Sequence, residues 1–214
     1  MFIPITGNRV KNERRVCMSR KPHIWYPGAT YHIMSRGNRK ATIFHDDEDY
    51  RRFLDILREA KEKYPFKLHS YCLMSNHVHL ELGTIDDDSS QIMSYILKTY
   101  STYYNRKYEY VGHLYQGRYK GILIEDEAYF MQTSRYIHLN PVKAGIVSSP
   151  EQYEFSSYRL YAENKESDLV SKETTLSLCR NDVSEFRAFV ENYAPRDEEK
   201  AIQKELREND LWLP

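Results

Sequence analysis

Two histidines separated by one residue, His77 and His79, are the clearest candidates for chemistry in this chain. On a β-strand, alternate side chains share a face, so both imidazoles project to one side while Val78 points to the core. Two adjacent imidazoles can hold a divalent metal ion and leave other coordination positions open. The same pattern is also typical of two half-buried histidines that meet by chance. Glu81 lies on the same face, where it is either an auxiliary ligand or a solvent-facing acid near the strand end.

A tyrosine and an asparagine one helical turn apart, Tyr136 and Asn140, form the second pattern. Residues at i and i+4 are neighbours on one face of a helix, so the phenol and the amide lie side by side. Gln132 shares that face and is a possible auxiliary residue. Taken alone, a tyrosine here is more typical of a core or surface aromatic side chain than of a nucleophile.

The two patterns together predict phosphoryl-transfer chemistry. The amide oxygen of Asn140 and the imidazoles of His77 and His79 would bind a hard ion, Mg²⁺ or Mn²⁺, with positions left for phosphate oxygens. Such an ion polarises a scissile phosphate and stabilises the leaving oxygen. A phenol, with a free pKa near 10, needs this activation to act as a nucleophile. Attack by Tyr136 would leave a 5′-phosphotyrosine bond and a free 3′-OH, which a second DNA end can reverse without ATP.

A basic and aromatic segment precedes the tyrosine helix at residues 113–121. Alternating rings and cations are typical of a track for unpaired nucleic acid, because every base offers a face for stacking. A basic turn near residue 37 extends the track, and an ordinary polar edge strand is the alternative interpretation. The candidate DNA-binding residues are Arg36, Asn38, Arg39, Lys40, Tyr115, Arg118 and Lys120.

The elements that must position these residues follow from hydrophobic periodicity and breakers. Strands are predicted at 29–35, 66–73, 77–82 and 119–124. Helices are predicted from Asp46 or Asp47 to Tyr64, from the Asp-Ser run at 86–90, and from Asp126 to Asn140-Pro141, where proline disfavours further helix. The order β-α-β-β-α-β-α predicts an α+β fold: a ferredoxin-like split βαβ sheet with an added catalytic helix.

Charge is unevenly distributed along the chain although the net charge is zero. Residues 1–45 carry nine Lys/Arg and one acid, whereas residues 150–214 carry nine Lys/Arg and fifteen acids. This asymmetry indicates either a polyanion partner for the front part or a solvated basic arm. We therefore predict a basic, disordered segment at 1–24, a catalytic domain at 25–161, and a charged helical extension at 162–214 with helices at 183–193 and 198–207.

Composition limits the class of protein. Apolar residues make up 41% of the chain, enough for a core, and no stretch is long or apolar enough to predict a membrane span. Three distant cysteines match neither a disulfide framework nor a zinc spacing, and no signal-type apolar run begins the chain, so a cytoplasmic location is expected. Tyrosine occurs 19 times, so composition alone cannot identify a catalytic one.

Four ordered motifs resemble a known family. Met74-Ser75-Asn76-His77-Val78-His79-Leu80 resembles the His-hydrophobic-His (HUH) signature of single-tyrosine transposases. Residues 31–39, 112–120 and 135–145 resemble the branch associated with repetitive extragenic palindromes (REP), and Ser156-Ser157-Tyr158 is similar to a tail motif of that branch. The resemblance covers about residues 26–161.

The resemblance implies that Tyr136 is the nucleophile and that His77, His79 and Asn140 bind Mg²⁺ or Mn²⁺. Relatives in insertion sequences carry glutamine where Asn140 stands, so the amide role is kept with a shorter reach. The family also implies cleavage of single-stranded DNA beside REP hairpins, by a monomer or a homodimer. Glu81 and the acidic segment after residue 161 are not part of the recognised pattern.

Two other functions remain consistent with parts of the sequence. A non-catalytic hairpin-binding protein would need none of the four site residues. A rolling-circle initiator or plasmid relaxase would share the chemistry but commonly has its motifs in another order. The chain is therefore predicted to be a transposase first and a binding protein or relaxase second.

Overall fold

The computed structural model describes residues 25–192 and residue 204. The predicted segment 1–24 and the predicted helix at 198–207 lie outside the described residues, apart from Lys204, which is helical. Between residues 25 and 192 the strands are β1 (Thr30–Arg36), β2 (Phe66–Met74), β3 (His77–Thr84) and β4 (Lys120–Ile124). The helices are α1 (Asp47–Lys63), α2 (Ser89–Lys107), α3 (Glu127–Lys143), α4 (Tyr158–Ala162), α5 (Glu173–Leu178) and α6 (Val183–Glu191).

The four strands form one antiparallel sheet in the order β2-β3-β1-β4. Because β3 follows β2 by a tight turn while β1 lies between β3 and β4, the connections produce the split βαβ arrangement that the element order predicts. The α+β, ferredoxin-like prediction is confirmed. The register places Met34 of β1 and Cys72 of β2 on either side of His79.

Acidic side chains begin the long helices where the sequence predicts them. The carboxylate of Asp46 accepts a hydrogen bond from the backbone N–H of Asp49, and that of Asp126 accepts from Tyr129. Each bond satisfies one of the amide groups that a helix leaves unpaired at its first turn. These caps fix where α1 and α3 start.

Helices α1 and α2 cover one face of the sheet. Alternate residues of β3, namely Val78, Leu80 and Leu82, enter this core and are fully buried. They pack with apolar side chains that recur every three to four residues along the two helices. The opposite alternation on β3 carries His77 and His79, so the histidines face away from this core.

Helix α3 packs on that second face, where Met34, Cys72, Met74 and Ile137 form a smaller apolar cluster with Tyr136. The predicted end of this helix at residues 140–141 is wrong, because α3 continues to Lys143 with Pro141 inside it. Proline has a helix-compatible φ, and the last turn is closed by the amide of Ala144, which donates to the carbonyl of Asn140. Asn140 is therefore held within the helix rather than at its frayed end.

Residues 144–192 wrap onto the same core instead of forming a separate body. Tyr161 and Phe186 are fully buried and stack with ring centroids 4.7 Å apart. Ser171 and Ser157 donate backbone hydrogen bonds to carbonyls of β2. The domain division at residue 161 stays a prediction, but side chains on its two sides share one packed cluster. Of the helices described here, none is both long enough and apolar enough to span a membrane.

Candidate active site

The two histidines of β3 are buried side by side beneath α3. Their ring centroids are 4.9 Å apart and the rings are nearly perpendicular. The neighbouring strands supply Met34, Cys72 and Met74 around them, which excludes water from the pair. The expected projection of both imidazoles to one face is therefore what the structure has.

The Nδ1 atom of each imidazole has its own hydrogen-bond partner. His77 Nδ1 lies 2.7 Å from Oδ1 of Asn76, and His79 Nδ1 lies 3.0 Å from Nε2 of His32. These contacts involve only the Nδ1 atoms, so the Nε2 atom of each ring can contact another group or a metal ion. His77 Nε2 is buried and has no hydrogen-bond partner among the described residues.

The side-chain amide of Asn140 reaches these free nitrogens from α3. Its Nδ2 atom lies 3.3 Å from Nε2 of His79. A half-turn of the amide exchanges Nδ2 for Oδ1 at this position, which replaces a donor by an oxygen that can ligate a metal. Asn140 thus contacts Nε2 of His79 and lies close enough to His77 to raise the pKa of its imidazole, so the three side chains lie together.

This donor set fits a hard divalent ion that keeps positions for substrate oxygens. Within residues 25–192, no group of three or more His, Cys, Asp or Glu side chains is arranged to hold an ion. Two imidazoles and an amide are too few to fill the coordination sphere of Mg²⁺ or Mn²⁺, so phosphate oxygens and water would complete it.

Burial keeps the imidazoles of the site uncharged. Desolvation lowers the pKa of His77 to about 4, with Asn140 opposing the shift and Arg36 adding to it. Desolvation also lowers the pKa of His32 to about 3 and that of His79 well below its usual value. Neutral rings retain the lone pairs that a metal ion requires, so the site needs no deprotonation at neutral pH.

The ring of Tyr136 lies next to the imidazoles of the site. Its ring centroid is 5.6 Å from that of His79 and 5.8 Å from that of His32. Lys143, one helical turn beyond Asn140, holds its ammonium 4.8 Å from the centre of the Tyr136 ring. The structure therefore brings together Tyr136, Asn140, His77 and His79 from two separate elements.

Both auxiliary candidates, Glu81 and Gln132, are buried, which excludes the solvent-facing alternative for Glu81. Glu81 is not solvent-facing, because it is fully buried and accepts a hydrogen bond from the Ser70 hydroxyl at 2.8 Å. Burial raises the pKa of Glu81 to about 8. Gln132 is also buried, and its Oε1 has no hydrogen-bond partner among the described residues.

A comparison with known families identifies the group to which the chain belongs. A family model described as "Transposase IS200 like" matches residues 26–140, which is more than half of the chain. The chain belongs to the IS200-like transposase family. The match begins just before β1 and ends at Asn140, so it spans the sheet and all four residues of the site.

Two known proteins of the REP-associated branch are similar to this chain. A Haemophilus influenzae protein assigned by name to the REP-associated tyrosine transposases is 30% identical over 118 residues. These are 50% of this chain and 66% of that protein, just under two thirds of its length. A solved structure of a REP-associated tyrosine transposase bound to a REP hairpin matches with a TM-score of 0.61 and 21% identity, over 72% of this chain and 92% of that one. The structural match shows a shared fold.

Two of the residues predicted to bind DNA are not exposed. The ring of Tyr115 is buried in the main core, because the segment before β4 pairs with Gly37 and turns this side chain inward. It therefore offers no free face for stacking, and that prediction is corrected. Arg36 is 8% exposed and donates from Nε and Nη2 to Oε1 of Gln116, which ties β1 to the same segment.

The other predicted DNA contacts of the transposase lie on its surface. Arg39, Lys40, Arg118 and Lys120 are exposed, and Asn38 is half-buried. Arg39 and Lys40 both have positive φ, at 53° and 61°, a region that non-glycine residues rarely adopt. Backbone hydrogen bonds join their loop to the turn before His77 and to residue 114. Three loops thus form one basic rim beside the histidine pair.

Sequence reasoning assigned no role to His32, Asn76 or Lys143. In the predicted strand at 29–35, His32 alternates with the apolar residues Tyr31 and Ile33, so it lies on the opposite face of the strand from them, and this alternation was the available signal. Asn76 directly precedes His77 in the quoted motif. The proximity of Lys143 to Tyr136 was hidden by the helix end predicted at residues 140–141.

Proposed function

We propose that this transposase is a metal-dependent endonuclease and strand transferase for single-stranded DNA that acts beside hairpins of repetitive extragenic palindromes. The observation that carries the proposal is the packing of the Tyr136 ring against His79, one helical turn from the Asn140 amide that meets His79 Nε2. A site for hairpin binding alone would not require this buried constellation.

His77, His79 and Asn140 would hold Mg²⁺ or Mn²⁺, which on binding polarises the scissile phosphate and stabilises charge on the leaving oxygen. The protein supplies the geometry. Asn76 and His32 hold the imidazoles from behind, and α3 fixes the distance between the Asn140 amide and the phenol. The surrounding apolar side chains keep water from competing for the phosphate.

Tyr136 acts as the nucleophile. Its Oη forms a bond to phosphorus, the bond between phosphorus and the 3′ oxygen breaks, and the electron pair stays on that oxygen. The phenol loses its proton and the 3′ oxygen gains one, so the products are a 5′-phosphotyrosine and a free 3′-OH. The ammonium of Lys143 beside the ring favours negative charge that develops on the phenol oxygen. The reverse reaction with another 3′-OH completes strand transfer.

The hairpin substrate is inferred from the relatives together with the surface charge. The structurally similar transposase is bound to a REP hairpin. In this chain, Arg39, Lys40, Arg118 and Lys120 are exposed, and the loop of Arg39 and Lys40 is hydrogen-bonded to the turn that precedes His77. Cations on such a rim neutralise phosphates and position a strand without selecting its sequence.

A labelled hairpin tests the nucleophile. The probe is a synthetic hairpin from palindromes that flank the gene, with single-stranded arms and a fluorophore at its 3′ end. With Mn²⁺, wild-type protein should carry the 3′ label on a denaturing gel, and Tyr136→Phe should reduce this adduct by at least about 1,000-fold.

Tyr129→Phe is the matched control, because Tyr129 is a half-buried tyrosine of the same helix that packs on the same cluster. It should form the adduct at a rate within a few-fold of wild type. An adduct that survives Tyr136→Phe rejects the assignment, and tight hairpin binding without cleavage in any metal favours a non-catalytic binding protein.

A further inference from the structure

His32 lies behind the proposed metal site and outside its ligand set. It lies on β1, which pairs with β3 on one side and β4 on the other. The side chain is fully buried, and its Nε2 atom lies 3.0 Å from Nδ1 of His79. The two rings are 5.2 Å apart between centroids and tilted by 31°. The contact joins two strands across 47 residues of sequence, so it exists only because of the β1–β3 register.

One hydrogen bond between two ring nitrogens requires one protonated nitrogen and one bare nitrogen. If His79 carries its proton on Nδ1, it donates to His32, and its Nε2 is bare and available to a metal ion. If His32 donates instead, the proton of His79 lies on Nε2 and blocks the ligand position. The tautomer of His79, and hence its ability to bind an ion, is therefore coupled to the acceptor at residue 32.

We propose that His32 is the positioning residue of the metal site: it accepts the Nδ1 proton of His79, which fixes the tautomer and the ring orientation that present Nε2 to the ion. This inference rests on the proposed function, since it assigns His79 as a ligand. A histidine that ligates a metal usually has its second nitrogen held in this way.

Packing alone does not explain a histidine at this position. Its Nδ1 is buried with no hydrogen-bond partner among the described residues, which is unfavourable for folding. Met34 and Ile122 show that apolar side chains are accommodated on the same face. Glu81 lies directly opposite His32 in the β1–β3 register, and its Oε1 is also buried without a partner in the described region. The two atoms do not bond directly, and one water between them would give Nδ1–H of His32 an acceptor and Oε1 of Glu81 a donor.

Variants of residue 32 that differ in reach separate this role from packing. The amide of glutamine extends about as far as Nε2 of histidine, whereas that of asparagine extends only as far as Nδ1. His32→Gln can therefore accept from His79, His32→Asn cannot reach it, and His32→Leu has no acceptor. The asparagine and glutamine variants alone decide the question if the leucine variant does not fold.

Mn²⁺ affinity of the full chain is the first measurement, by titration with detection of free Mn²⁺ by electron paramagnetic resonance. Relative to wild type, His32→Leu and His32→Asn should bind Mn²⁺ about 10- to 100-fold more weakly, and His32→Gln should stay within about 3-fold. The control is His69→Leu, which removes a buried histidine of β2 that contacts Phe130 rather than either ring of the pair. It should leave Mn²⁺ affinity unchanged even if it lowers stability.

The tautomer of His79 in metal-free protein is the second measurement, read from ring ¹⁵N chemical shifts of histidine-labelled samples. Wild type and His32→Gln should carry the His79 proton on Nδ1, and His32→Asn should shift the ring toward the Nε2–H form. Equal Mn²⁺ affinities in wild type and the three His32 variants would overturn the role of His32. An unchanged His79 tautomer in His32→Asn would overturn it as well. If wild-type protein binds no Mn²⁺ while the tautomer follows residue 32, the proposed metal chemistry fails and the positioning contact stands.

Discussion

Each imidazole of the His77–His79 pair is oriented by a contact on its far side. Asn76 contacts Nδ1 of His77 and His32 contacts Nδ1 of His79, and Nε2 of His79 faces the Asn140 amide. The pair itself was predictable from the sequence, because strand alternation is a local rule. The partner at residue 32 was not, since only the pairing of β1 with β3 brings it to His79.

Glu81 yields a residue-scale prediction about pH. Burial raises its pKa from 4.5 to about 8, and the hydrogen bond from Ser70 opposes this only partly. Because the folded value exceeds the unfolded one, the native state retains a proton that the unfolded chain loses between these values. The contribution of Glu81 to the free energy of unfolding is therefore fully present below about pH 4.5. Between about pH 4.5 and pH 8 this contribution falls by up to about 1.4 kcal/mol per pH unit, and above pH 8 it changes no further.

Glu81→Gln should remove that loss, because its amide keeps an acceptor for Ser70 and does not ionise. In metal-free buffer, the variant should unfold at higher urea concentration than wild type at pH 8, and the difference should vanish near pH 4.5. Glu154→Gln, at an exposed carboxylate, serves as the control and should track wild type. A difference between Glu81→Gln and wild type that does not vary with pH would mean that Glu81 is not buried as a neutral acid.

At the scale of elements, α1 and α2 are joined by one buried carboxylate. Asp49 is fully buried and accepts hydrogen bonds from the hydroxyls of Tyr103 and Tyr108, while Lys107 lies 2.9 Å away as its ion-pair partner. Burial opposes ionisation of Asp49, but hydrogen bonds from the His45 amide and Lys107 lower its pKa overall. The first turn of one helix is thus fixed to the last turn of the next.

Asp49→Ala should lower the free energy of unfolding by about 3 kcal/mol, because it leaves the hydroxyls of two half-buried tyrosines and an ammonium without this buried acceptor. Asp55→Ala is the matched control on the same helix, since Asp55 is 56% exposed and pairs only at the surface with Arg58. Its effect should stay within about 0.5 kcal/mol. Urea unfolding at pH 7 measures both, and equal effects would show that Asp49 is no more than a surface acid.

Element boundaries were predictable where a side chain caps a helix and less so where tertiary contacts decide. Asp46 and Asp126 begin α1 and α3 as expected, because an N-cap is a local hydrogen bond. Pro141 was expected to end α3, but the helix continues to Lys143, because packing on the sheet and the hydrogen bonds of the last turn stabilise it beyond the proline. Tyr115 was expected at the surface, and the bridge to Gly37 turns it inward.

At the scale of the whole molecule, helix α6 contributes to the same core as α3, the helix of the candidate site. Phe186 of α6 is fully buried against Tyr161 and His138, and His138 belongs to the same helix as Tyr136. Helices α4 and α5 are only five and six residues long, too short for periodicity to reveal them. The sequence therefore predicted the sheet and long helices well and this part of the chain poorly.

Phe186→Ala should destabilise the protein by about 3 to 5 kcal/mol, because it opens a cavity in a core shared with α3. Arg180→Ala, at a side chain that is 84% exposed, should change stability by less than about 0.5 kcal/mol. Thermal and urea unfolding measure both variants. At low temperature, Phe186→Ala should still form the DNA adduct, and a near-neutral effect on unfolding would show that residues 162–192 are a dispensable appendage.

Helix α3 carries Tyr136 and Asn140 on adjacent turns, so a rigid displacement of this helix would move both side chains together. Under the proposed function, a tilt or slide that withdrew the phenol from the phosphate would also withdraw the amide from the two imidazoles. Retraction of the nucleophile and loosening of the cation would then be one event, which would couple release of the joined strand to loss of its counter-ion.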